Sequence, residues 1–86
     1  MTDEATNTSR AREHSEKIVL AIIKDKIPNA ADEVKDVIAR YAWGLPKIAL
    51  KLSEQQFETV GAVEEAVGIP IEAYTVHDAY ILHDKL

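Results

Sequence analysis

A chain of 86 residues is long enough for one domain with one hydrophobic core. Its 47% apolar and 29% charged residues are a globular balance, which excludes a wholly disordered chain. The absence of cysteine excludes disulfides, thiolate metal sites and cysteine nucleophiles, and a net charge of −5 lacks the basic footprint of a nucleic-acid binder.

Met1 to Ser9 is polar, with acids at Asp3 and Glu4, the reverse of a secretory leader. We read residues 1–9 as a flexible tail and residues 10–86 as a single helical domain. The longest uninterrupted apolar run, Ile18 to Ile23, is far shorter than the roughly 20 residues needed to cross a bilayer. A cytoplasmic location is therefore expected.

Ser9, with Ser15 as a second choice, caps a first helix expected over about 10–26. Ile18, Val19, Ile22 and Ile23 form its apolar stripe, and Lys24 and Lys26 complement the dipole at its end. Pro28 disfavours the helical region at Ile27, so Ile27-Pro28-Asn29 breaks the helix there. A second helix follows over about 30–43, with Asp32 and Glu33 in its first turn and Val34, Val37, Ile38 and Tyr41 on one face, a stripe that Leu45 continues. Gly44 is its expected left-handed stop.

One turn grammar occurs twice: Ala42-Trp43-Gly44-Leu45-Pro46 and Ala66-Val67-Gly68-Ile69-Pro70. Glycine ends the outgoing helix and proline sets the first turn of the next. The flanking residues do not match, so this is shared punctuation rather than an internal repeat. A short third helix is expected over about 47–52, with Leu45, Ile48, Ala49 and Leu52 inward. Ser53 and Gln56 fit a capping box opening a fourth helix, whose inward face carries Phe57, Val60, Val63 or Glu64, and Val67. A glycine inside that helix, Gly61, suggests a close helix–helix contact. Residues 70–83 are expected to form a fifth helix, with Ile69, Ala73, Val76 and Tyr80 at helical spacing. The heptapeptide Gly68-Ile69-Pro70-Ile71-Glu72-Ala73-Tyr74 resembles the turn before the closing helix of phage-repressor-type domains. No residue role follows from so short a match.

The fold class expected from these elements is all-α: a compact four- or five-helix bundle with short Gly/Pro-punctuated turns and a flexible N-terminal tail.

Candidate chemistry is sparse. His77-Asp78 and His83-Asp84 repeat a pair six positions apart, which turns a helix through about 600° and parts the two imidazoles. Metal sites on one helix use spacings of about three or four, so these histidines read as solvated and no metal is expected. His14 stands alone. Ser9, Ser15 and Ser53 read as caps or surface positions, the glycines are isolated, and no nucleophile elbow or phosphate loop is present. No enzyme activity and no cofactor are expected.

The charge is uneven. Residues 53–86 carry seven carboxylates against Lys85 alone, whereas residues 1–30 balance. Such asymmetry bears on partners. We therefore expect a small regulatory, inhibitory or immunity-type module of the kind phages and plasmids encode, docking on a larger, basic protein partner, itself a nucleic-acid-binding protein in one version. Its acidic surface would be Glu64, Glu65, Glu72 and Asp78, with Trp43, Tyr74 and Tyr80 as aromatic anchors. The alternative is a helix-turn-helix-like DNA-binding regulator using residues 34–52, with Arg40, Lys47 and Lys51 as its DNA-binding residues and Arg10, Arg12 and Lys17 as phosphate contacts. The apolar content of helices 1 and 5 also leaves homodimerisation open.

Overall fold

In the computed structural model, which describes the backbone from Thr2 and side chains from His14 onward, five α-helices and one 3₁₀ turn follow one another. They are α1 (Thr2–Lys26), α2 (Asp32–Ala42), α3 (Pro46–Glu54), α4 (Val60–Val67), the 3₁₀ turn Ile71–Ala73, and α5 (Val76–Lys85). The expected tail over residues 1–9 and the expected cap at Ser9 lie outside the residues described with side chains. Among the described residues there is no strand, and the all-α bundle stands.

α1 packs on α2 and α3, α2 also meets α4 and the 3₁₀ turn, and α5 rests chiefly on α3. The core stripe of α1 is Val19 and Ile23, continued by Ile27 just past its end, all buried, while Ile18 is 37% exposed and Ile22 half-buried. Residues 18–23 are apolar all round, so their periodicity leaves the phase of the helix undetermined. Contact with α2 and α3 selects the i, i+4, i+8 row ending at Ile27.

α2 buries Val34, Val37, Ile38 and Tyr41 of the stripe expected of it, and Ala42 as well, while Leu45 beyond its end is half-buried. Its stop differs by one residue. Trp43 itself is the left-handed cap (φ 49°), donating its N–H to the Arg40 carbonyl, and Gly44 follows at φ 73°. α3 begins with Pro46 at its first position and buries Ile48, Ala49, Leu52 and Ser53.

Ser53 corrects an expectation. It lies inside α3, fully buried, with no hydrogen-bond partner for Oγ among the described residues. α4 opens later, at Thr59, whose Oγ1 accepts from the Ala62 N–H at 3.1 Å. Phe57 sits half-buried in the connecting loop. Gly61 is therefore in the first turn of α4, and a Cβ built there meets nothing within 4 Å, so no close helix contact required it. Gly68 ends α4 at φ 86°, donating to the Glu64 carbonyl at 2.8 Å, as expected of a glycine stop.

The expected helix over 70–83 is two pieces. Beyond the 3₁₀ turn, Tyr74 and Thr75 are extended, and Thr75 caps α5. Asp78 completes a capping box: its carboxylate accepts from the Thr75 N–H at 2.9 Å, while Thr75 Oγ1 accepts from the Asp78 N–H at 3.3 Å.

Candidate protein-interaction surfaces

α5 is held by few apolar side chains. Ala79 is buried and Leu82 half-buried against the core, and the helix is otherwise oriented by its two ends. The capping box fixes the start. Near the finish, Lys47 Nζ donates to the His83 carbonyl at 3.3 Å, placing a cation where the helix dipole is negative. With α5 so placed, Val76 (41% exposed), Tyr80 (57%) and Ile81 (43%) are exposed, Val76 and Tyr80 one turn apart on one side of the helix and Ile81 about 100° round from Tyr80. The helical spacing of Ala73, Val76 and Tyr80 does not make one buried stripe, because the extended pair Tyr74-Thr75 resets the phase between them.

Two of the four expected partner-binding carboxylates serve the fold. Glu64 is half-buried, and its Oε2 accepts from the Ile71 N–H at 3.0 Å, tying α4 to the 3₁₀ turn. Asp78 is the capping carboxylate of α5. Both are therefore corrected from purely surface charges to groups that satisfy backbone donors. Glu65 and Glu72 are exposed.

Tyr74 is likewise no exposed anchor. It is 7% exposed, and its hydroxyl donates to the Tyr41 carbonyl at 2.8 Å. The Tyr41 hydroxyl in turn donates to the Ile69 carbonyl at 2.6 Å, and the rings meet edge to face with centroids 4.6 Å apart. This tyrosine clasp fastens the segment after α4 onto α2. Burial, helped by the Glu64 carboxylate, pushes the Tyr41 hydroxyl up to about 12. Burial raises Tyr74 to about 12 as well, with smaller contributions from Asp78 and Tyr41.

Trp43 and Tyr80 are the expected anchors that remain at the surface, 42% and 57% exposed. Trp43 borders a groove of about 410 Å³ between α1 and the end of α2. Its lining is Glu16, Val19 and Leu20 from α1 facing Ala39, Arg40 and Trp43 from α2, with Gly44 at the end. Sequence reasoning missed this groove. Its signal was the exposed indole beside Gly44, but the partner wall lies on a different helix and no local pattern joins the two. The Thr75–Asp78 capping box was also missed, although Thr-x-x-Asp is a readable signature.

Of the DNA-binding candidates, Arg40, Lys47 and Lys51 are all exposed, Lys47 and Lys51 one turn apart on α3. Arg40 borders the α1/α2 groove and Lys47 contacts α5. α3, which would be the recognition helix, is flanked by α1, α2 and α5. His77 is exposed, and the half-buried His83 places Nδ1 4.0 Å from the Asp84 carboxylate. Among the described residues no group of three His, Asp or Glu side chains is arranged to hold a metal ion. No helix among them is long and apolar enough to cross a membrane. Comparison of the chain with protein-family models, with curated proteins and with solved structures returns no match.

Proposed function

We propose that this chain is a non-enzymatic protein–protein interaction module of the cytoplasm, regulatory or inhibitory in kind, which docks on a larger partner through the outer face of α5. One observation carries the reading: Val76, Tyr80 and Ile81 stand exposed on a lightly anchored helix within a third of the chain that bears seven carboxylates against one lysine. An aromatic flanked by aliphatic side chains is the composition of an interface centre. The acids of this third of the chain suit a basic surface on the partner, and Glu65 and Glu72 are the exposed carboxylates among those expected to bind it.

The test is photo-cross-linking from a reactive residue placed at Tyr80 in the source cell, followed by reconstitution with the captured protein. Tyr80→Ala should weaken the complex roughly tenfold or more. Glu65→Lys with Glu72→Lys should slow association at low salt and matter little at high salt. The DNA-binding alternative makes opposite demands: duplex binding that falls steeply with salt and is abolished by Lys47→Glu with Lys51→Glu. Loss of DNA binding through those lysines, with any protein complex indifferent to Tyr80 and the two glutamates, would sink the interaction reading.

A further inference from the structure

We propose that the groove between α1 and α2 is the contact with a second copy of this chain, packed about a two-fold axis. The proposal is independent of the α5 reading, because the groove lies on other helices.

Three features carry it. First, the groove has an apolar rim where a small bundle should have a polar one. Leu20 on one wall is 44% exposed and Trp43 on the other 42% exposed, above the buried Val19 and the half-buried Ala39.

Second, the backbone at Trp43 is unusual. Its φ of 49° is left-handed, a conformation that strains a side chain and that glycine adopts freely. A glycine stop is available one position later at Gly44, yet the left-handed cap falls on the tryptophan. This conformation leaves the indole against the groove.

Third, the charges identify the occupant. Among the described residues each wall carries one charge, Glu16 on α1 and Arg40 on α2, and neither has an ion-pair partner there within 4.0 Å. A partner of a single sign would set one of these two against a like charge. A second copy related by a two-fold axis meets each with its opposite, Glu16 against the other copy's Arg40 and the reverse. The same operation can set the Leu20 and Trp43 rims against each other. The groove is complementary to itself.

The test uses the full chain and two readouts, sedimentation equilibrium and indole emission. Trp43 is the single tryptophan, so its emission reports on the groove alone. The expected result is a concentration-dependent dimer, with an emission maximum that moves to the blue in step with the dimer fraction. Glu16→Arg alone and Arg40→Glu alone should each raise the dissociation constant roughly tenfold, by opposing like charges across the axis. Combined in one chain they should restore most of the affinity, an outcome that damage to the fold cannot imitate. Leu20→Glu should abolish the dimer with helical circular dichroism unchanged.

A monomer at every concentration up to about 1 mM, the weak end of specific association, overturns the proposal. So does a dimer indifferent to Leu20→Glu, or a reversed pair weaker than either single variant. A dimer lost through Tyr80→Glu alone would place the self-contact on α5 and overturn it equally.

Discussion

Removing one oxygen from the tyrosine clasp should measurably loosen the whole bundle. Tyr41 is fully buried, its ring stays packed in the phenylalanine variant, and the change is confined to its 2.6 Å hydrogen bond to the Ile69 carbonyl. A neutral hydrogen bond contributes about 1 kcal/mol net, and the stranded part-buried carbonyl adds to the loss, so Tyr41→Phe should cost about 1–2 kcal/mol. For a domain of this size that lowers the thermal midpoint by roughly 5–15 °C. Circular dichroism melts and urea titrations at pH 7 measure it directly. The same residue sets an alkaline limit. Its hydroxyl titrates near 12 in the folded chain and near 10 when unfolded. A raised folded-state value means that the stabilisation is complete below about pH 10 and is lost as pH climbs from about 10 to about 12. Tyr74 behaves alike. Phenylalanine at 41 should therefore flatten the alkaline decline of stability relative to the unaltered chain, a difference to which the lysines, common to both, do not contribute. An unchanged midpoint at pH 7, or an equally steep alkaline decline, would refute the clasp as a stabilising tie.

The glycine inside α4 and the glycine that ends it should respond with opposite signs: Gly68→Ala, strained at φ 86°, should lose about 1 kcal/mol, and Gly61→Ala, with open space at its Cβ, should gain about 0.5–1 kcal/mol. A stability gain at position 68 in denaturant titrations would mean that the left-handed stop is not required there. Glu64→Ala should destabilise by about 1–2 kcal/mol through the abandoned Ile71 N–H, whereas Glu65→Ala should stay within about 0.5 kcal/mol; equal urea midpoints would contradict the Glu64 tie. Ile38→Ala should cost on the order of 2–5 kcal/mol because its side chain is fully enclosed, and a near-neutral denaturant midpoint would mean that the core face of α2 is misassigned.

Part of this architecture is legible in local chemistry. The α2 stripe from Val34 to Tyr41, the glycine stop at Gly68 and the proline at the start of α3 follow from periodicity and backbone restriction within a few residues. The acidity of the last third is a matter of composition. Other features depended on competition between distant segments. Ser53 and Thr59 both carry a capping hydroxyl, but Ser53 belongs to the turn of α3 that packs inward with Leu52, so the helix continues through it and the cap falls to Thr59. The run from Ile18 to Ile23 offers apolar surface in every direction, and only the positions of α2 and α3 choose Val19 and Ile23 over Ile18. Tyr74 reads in isolation as an anchor for a partner, yet the carbonyl that satisfies its hydroxyl lies 33 residues away on α2. Glu64, for the same reason, reads as a surface charge until the chain returns past Gly68 and presents the Ile71 N–H to it. Sequence spacing expresses torsional preference and the period of a face, which are local. Which face is covered, and which polar group finds its partner, is settled by elements far apart in the chain meeting at van der Waals distance, and that only the tertiary structure decides.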